Sequence, residues 1–255
     1  VNRYAAGSRA HLAGSLSAPA PREYPDVGVY HPRMKDKIAG EASHLPRLSG
    51  SRARVGVLLM RSYVLANNAQ HYDGVIQALE ARGLEVVPAF ASGLDNRPAV
   101  ENFFMKDGEA TVDAVVSLTG FSLVGGPAYN DADAAEGMLK QLDVPYIAAH
   151  AVEFQTMESW KQSANGLLPV EATMMVAIPE LDGATGSMVF GGRSIHADDG
   201  QVRDMHVHPE RANMLARRVD KQIQLRKAAR KDRKLAITLF NFPPNAGATG
   251  TAAFL

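Results

Sequence analysis

Three stretches gather the residue types from which a site is built: Arg61–Asn68, Thr119–Asn130 and Asn241–Gly250. The first ends in Asn67 and Asn68, the second carries Gly125 and Gly126, and the third holds Asn245 and Gly247. Side-chain amides and the N–H groups of helix starts hold carboxylates or phosphates, and glycines let a ligand approach the backbone. The plainer use of the same residues is asparagine as a helix cap and glycine as a turn. None of the three is a nucleotide motif. GxxxxGK[ST] and a strand-linked GxGxxG are both absent, and GATGT at Gly247–Thr251 is suggestive only in context.

The titratable candidates are scattered. His150 ends an apolar run and is followed by Glu153, an address suited to acid/base work or to a metal ligand. His71 opens a helical pattern, where it faces either a crevice or solvent. His206 and His208 share one side if their segment is extended, and with His196, Asp198 and Asp199 they form a candidate divalent-ion site. No zinc spacing supports that site, so a solvated loop is the plainer reading. Glu171, Glu180 and Asp182 invite a general acid/base reading, but nothing in their spacing makes them converge. The absence of GxSxG removes a serine-hydrolase elbow. Between Arg211 and Lys234 ten Arg or Lys stand against Asp220 and Asp232. This run reads as the solvated side of a helix, well placed at its C-terminus, or as a contact for an acidic partner.

These residues must be positioned by something, and Arg54–Pro88 shows what. RVGVLLMRSYVLANNAQHYDGVIQALEARGLEVVP reads as a buried strand, a polar loop, a helix and a second strand. The helix buries Tyr72, Val75, Ile76 and Leu79 at i, i+3, i+4 and i+7, and Gly83 stops it. A short helix over Ala99–Lys106 behind Pro98, a third strand over Val112–Leu118, a helix over Asp131–Leu142 and a fourth strand over Val144–Ala149 follow. The alternation predicts an α/β fold: a parallel sheet with helices on both faces, in a flavodoxin-like or Rossmann-like arrangement. Its polar loops then share the carboxyl edge of the strands.

Outside that core the pattern weakens. Residues 1–50 read as a proline-rich linker and a wrapping segment, with a short strand at Val27–Tyr30. Residues 51–233 form the α/β domain, interrupted by an irregular insertion at 151–208. Within it Phe154–Lys161 suggests a helix anchored by Trp160. Leu168–Pro179 and Ser187–Phe190 look extended, and Gly191–His208 looks like a loop. Pro209–Lys231 is the longest helix expected, with Ala212, Leu215, Val219 and Ile223 inward. Residues 234–255 read as the first strand (Leu235–Phe240) and helix start of a truncated second α/β unit. AITLFNFPPNAGATGTAAFL lies without a gap against GVLLMRSYVLANNAQHYDGV.

Composition narrows the function classes. With 255 residues and 46% hydrophobic content the chain can bury a full core. Lys+Arg and Asp+Glu both total 27, so no general pull toward nucleic acid or anionic membrane exists. The absence of cysteine excludes disulfides, thiolate zinc sites and iron–sulfur clusters. No apolar run reaches the roughly 18–20 residues of a membrane span, so no transmembrane segment is expected. Val1–Leu16 is a poor signal peptide. A start without Met and an apolar stop at AAFL suggest a piece of a longer protein.

The longer motifs are recognisable. YPDVGVYHPRM, RVGVLLMRSYVLANNAQHYDGVIQALEARGLEVVPAFASGLD and SLTGFSLVGGPAYND closely resemble the large-subunit family of magnesium chelatases and cobaltochelatases. LDVPYIAAH, EFQTMESW, PVEATMMVAIPELDGATG and LFNFPPNAGATGTAAFL continue the resemblance over nearly the whole chain. The details are most similar to the large H subunit of the bacteriochlorophyll pathway. That resemblance implies a cytoplasmic subunit that takes Mg²⁺ and protoporphyrin IX as substrates. ATP is then used by two smaller partner subunits, one of them an AAA+ ATPase. Mg²⁺ sheds its water shell reluctantly, so such a site needs oxygen ligands and a base for the pyrrole protons. The family's His/Glu motif of the THGxxE kind is missing here. The resemblance therefore implies that this piece has no independent chelatase activity and no tightly bound cofactor, and works with the remainder of the large subunit. Its loops either line the porphyrin cleft or serve as a scaffold or docking surface.

Overall fold

The computed structural model describes residues 23–126, 128–195 and 202–237. The expected proline-rich linker falls largely outside them, as do His196, Asp198 and Asp199. Asn241–Gly250 with Asn245 and Gly247, and nearly all of the expected second unit, also lie outside the described residues.

Valine, isoleucine, leucine and alanine runs become the strands of one eight-stranded sheet. Its strands are β1 (Val27–Tyr30), β2 (Ile38–Ala39), β3 (Ala53–Leu58), β4 (Leu84–Ala91), β7 (Ala114–Ser117), β10 (Tyr146–Thr156), β11 (Thr185–Ile195) and β12 (Val202–Val207). Two small hairpins pair β5 (Met105–Lys106) with β6 (Glu109–Ala110) and β8 (Gly125–Gly126) with β9 (Tyr129–Asn130). The large sheet runs β12-β11-β10-β7-β3-β4-β1-β2. From β11 to β4 every pairing is parallel, while β12, β1 and β2 are antiparallel additions. In chain order the parallel strands run 2-1-3-4-5, so the winding direction reverses between β3 and β7.

Helices cover both faces. On one side α2 (Gln70–Glu80) and α8 (Pro209–Lys227) bury Tyr72, Ile76, Leu79, Leu215 and Val219 against Val55, Val57 and Val116. On the other, α3 (Arg97–Phe103) and α4 (Ala132–Leu142) bury Val100, Phe103 and Met138 against Leu58, Val87 and Val115. Asp131 caps α4 by accepting the Ala134 N–H at 3.0 Å, and Pro98 sits in the first turn of α3. Gly56 is required by packing rather than by a turn, because a Cβ there would lie 2.8 Å from the Phe104 ring. The parallel sheet with helices on both faces is thus the fold the periodicity led one to expect.

Three local readings are corrected. The stretch 168–179 is helical, not extended: α6 (Pro169–Ala172), a π turn (Thr173–Ala177) and α7 (Ile178–Leu181) follow one another. Proline at the first helical position and Glu171 at the third fix the start, and they outweigh the β-branched residues. The described parts of 191–208 are strand rather than loop, since β11 runs to Ile195 and β12 occupies Val202–Val207. The helix expected at Phe154–Lys161 begins later: β10 continues to Thr156, whose hydroxyl caps α5 (Met157–Gln162) through the Ser159 N–H. At the far end, residues 233–237 are irregular, and Leu235 and Ile237 are exposed.

Candidate functional site

Strand direction decides where a site belongs. Leu58 of β3 is aligned with Ser117 of β7 and with Ala89 of β4, so the loops after β3 and β7 leave the sheet side by side. They flank the reversal in winding, where a crevice opens at the carboxyl ends of parallel strands. The two described loops of the three singled out therefore share one rim.

The first loop contains α1 (Arg61–Leu65). Asn67 sits in the left-handed region at φ 55°, which asparagine tolerates, and its side-chain oxygen accepts from Lys37 Nζ at 3.2 Å. Asn68 Oδ1 accepts the Met205 N–H at 2.9 Å and so occupies a backbone donor of edge strand β12. Neither asparagine caps α2, which starts after Ala69 without a side-chain cap. Both amides tie the loop to neighbouring segments.

The second loop folds inward. Thr119 and Ser122 are buried, and Thr119 Oγ1 lies 3.0 Å from Ser117 Oγ. The Leu123 N–H donates to Asp182 Oδ2 at 2.7 Å, across from the end of α7. Burial pushes the Asp182 carboxyl above its usual range, opposed by that N–H. Gly120 lies under Met175, and Gly125 at φ 117° opens the β8–β9 hairpin. A side chain at Gly125 would meet the Tyr129 carbonyl, and one at Gly126 would meet Leu94. Both glycines are thus accounted for by close packing of the chain on itself.

His150 and Glu153 do not form a pair. His150 is buried with Nδ1 3.5 Å from Ser187 Oγ, and burial alone pushes its imidazole down to about 4. Glu153 is pushed up by burial and by the nearby Glu171 charge, against a Tyr63 hydrogen bond and the Arg193 charge. Tyr63 belongs to an aromatic group, its ring edge-on to His71 at 5.2 Å. His71 in turn lies 3.8 Å from Tyr72 and stacks on Phe190 at 5.8 Å. Burial, reinforced by the His206 charge, pushes His71 down to about 3, so it is a neutral core group. Tyr63 and Arg193 escaped the sequence reading; the one available signal was a tyrosine inside the Arg61–Asn68 loop.

The remaining acids and histidines are dispersed. Glu171 is fully buried and accepts from the Gln155 amide at 2.5 Å, the Leu168 N–H at 3.0 Å and the Phe154 N–H at 3.3 Å. Glu180 is exposed. His206 stands in β12 opposite Gly192, whereas His208 precedes α8 with Trp160 edge-on at 6.5 Å. Burial and the Lys161 charge push His208 down. Among the described residues no group of three or more His, Asp or Glu is arranged to hold a metal ion, and no helix is long and apolar enough to cross a membrane. One cavity of about 600 Å³ lies beside edge strand β2, lined by Arg33, Met34, Ile38 and His44. Another of about 560 Å³ lies by the amino ends of β10 and β11, lined by Leu139, Tyr146, Thr185 and Arg226.

A doubly wound sheet with an inward-folded carboxyl rim defines an α/β module whose polar loops hold the chain together. The chain belongs to the CobN/Magnesium Chelatase family, whose model matches residues 2–255. It is similar to the magnesium-chelatase H subunit of Cereibacter sphaeroides, 48% identical over 268 residues that take in 100% of this chain and 22% of the relative. The chloroplastic magnesium-chelatase ChlH subunit of Oryza sativa subsp. indica is 42% identical over 90% of this chain and 17% of its own length. The solved catalytic subunit of cobaltochelatase from Mycobacterium tuberculosis shares the fold, with a TM-score of 0.71 at 23% identity over 98% of this chain and 20% of that one. The chain thus spans about a fifth of the length of the relatives it matches.

Proposed function

We propose that this chain is a scaffold and docking segment of the large subunit of a magnesium chelatase, without direct porphyrin contact of its own. The whole subunit would work in the cytoplasm and insert Mg²⁺ into protoporphyrin IX. Two smaller subunits, one an AAA+ ATPase, would hydrolyse ATP. The chain alone would be inactive, and residues from 234 onward would begin a further α/β unit. The observation carrying this reading is the state of the rim. Asn68, Asp182 and Glu171 already accept hydrogen bonds from the chain's own backbone. A ligand would have to displace those bonds and leave buried N–H groups unpaired.

The competing reading, in which the rim touches porphyrin, draws on Phe154, Leu168 and Val170, which are apolar, exposed and gathered around Glu171. His150, Glu153 and the two asparagines would then be the residues at stake. Trp160 decides between them, being the only tryptophan and lying on α5, which follows directly on the β10 strand that carries Phe154. Titration of the chain with protoporphyrin IX, corrected for absorption with free tryptophan, is expected to give no saturable quenching. Saturable quenching near one equivalent, weakened by Asn67→Ala/Asn68→Ala, would establish the porphyrin reading instead.

A further inference from the structure

Resting on the reading of this chain as a docking segment, we propose that the exposed face of α8 and the turn after it bind an acidic, leucine-bearing protein surface. Helical spacing builds this face. Ala212, Leu215, Ala216, Val219 and Ile223 are buried, which leaves Arg217, Lys221 and Leu225 on one outward line at steps of four. Arg230, Lys231 and Lys234 follow in the chain past the end of the helix, all exposed. Among the described residues none of these five cationic side chains has an ion pair or a hydrogen-bond partner.

Their neighbours show which chemistry this end of the molecule selects. Arg226 holds Asp143 at 2.9 Å and Lys227 holds Asp113 at 2.7 Å. Arg52 and Arg82 hold Asp220 at 2.6 and 3.1 Å. Four cations thus already grip carboxylates of the chain itself, and five more of the same kind stand open beside them. Since the whole chain carries equal numbers of basic and acidic residues, the positive field is local to this face. Leu225 is half exposed in the middle of it, an apolar centre with a cationic rim.

Two other polyanions fit less well. Residues 209–237 contain no aromatic side chain, so there is no platform on which nucleic-acid bases would stack. The apolar face of α8 is spent on the core, so the helix cannot lay it into a membrane as an interfacial helix does.

The test uses the 255-residue chain and three probes: a helical peptide of glutamate and leucine, single-stranded oligothymidylate, and vesicles of phosphatidylserine and phosphatidylcholine. The peptide is expected to bind most tightly and to weaken between about 50 and about 300 mM salt as screening rises. Arg217→Glu/Lys221→Glu should weaken it about tenfold or more, and Leu225→Ala about threefold, with the second effect absent for the oligonucleotide. Arg217→Gln/Lys221→Gln, with an unchanged circular dichroism spectrum, separates lost charge from lost fold. Equal affinity in the charge variants, or tighter binding of oligonucleotide or vesicles, would overturn the proposal. The Trp160 titration repeated on the same variants reads the rim independently, so either proposal can fail without the other.

Discussion

Replacing Glu171 with alanine is expected to cost about 2–4 kcal/mol of unfolding free energy, the largest effect of any single change at the rim. Its fully buried carboxylate accepts from three donors that converge from two segments, Phe154 and Gln155 at the end of β10 and Leu168 before α6. Alanine leaves the Phe154 and Leu168 N–H groups without an acceptor and the Gln155 amide with only the Gly166 carbonyl at 3.3 Å, and the helical excursion over 169–181 loses the anchor at its start. Glu171→Gln keeps one acceptor oxygen but turns an NH₂ group toward N–H donors, so about half of the loss is expected. Urea denaturation gives the magnitudes. Limited proteolysis should find new cleavage between residues 155 and 181 in the alanine variant, and unchanged resistance there would refute the clamp.

The second large effect is at Asp220, on the opposite end of the molecule. Its nearly buried carboxylate faces Arg52 and Arg82 and also accepts from Gln224 at 2.8 Å. Hydrogen bonding to Arg52, with help from Gln224 and Arg82, lowers it from 3.8 to about 2. A depressed carboxyl pKa means that the folded state prefers the charged form. The contribution is complete above the unfolded value near 4 and disappears as pH falls through about 2. Asp220→Asn should therefore lose about 2 kcal/mol at neutral pH. The gap to the unaltered chain should close between about pH 4 and pH 2, as thermal melts across that range would record. A gap that stayed constant with pH would mean that packing, not charge, sets the effect.

The parts of this fold that could be read from residues alone are those where one period dominates. Tyr72, Val75, Ile76 and Leu79 sit on a helix stripe in both pattern and structure, and Val55–Leu58 is buried on both faces as a central strand must be. The shared rim followed, because parallel strands put their following loops at one edge. What misled was context. Gly191 and Gly192 carry no side chains to alternate, yet they form β11 because the backbone of β12 and the side chain of Val152 pack too closely for a Cβ. Val170, Val176 and Ile178 suggested an extended segment, while Pro169 and Glu171 held the helix start that their spacing also encodes. Asn67 and Asn68 looked like ligand groups or helix caps, and their true partners, Lys37 and Met205, are 30 and 137 residues away. No local pattern encodes such distances.

The pairing of Tyr63 with Glu153 has the same character. A carboxyl pushed up by burial beside a tyrosine and an arginine is the kind of group that active sites use. Here β10, α1 and β11 bring the three together through tertiary packing alone, and Glu171, the fourth group in that neighbourhood, is consumed by backbone donors. The rim is chemically rich, and Asn68, Glu171 and one Asp182 oxygen are taken by the chain's own donors, while His150 Nε2 and Asp182 Oδ1 are buried without a hydrogen-bond partner.

The most direct measurement of that claim is amide hydrogen exchange, by NMR, at Leu123, Phe154, Leu168 and Met205. Each of these N–H groups donates to a side chain of the rim rather than to a strand or helix partner. The account predicts that all four are protected in the chain alone and that protoporphyrin IX leaves their rates unchanged. Rapid exchange at these amides without ligand, together with protection gained on adding porphyrin, would contradict it.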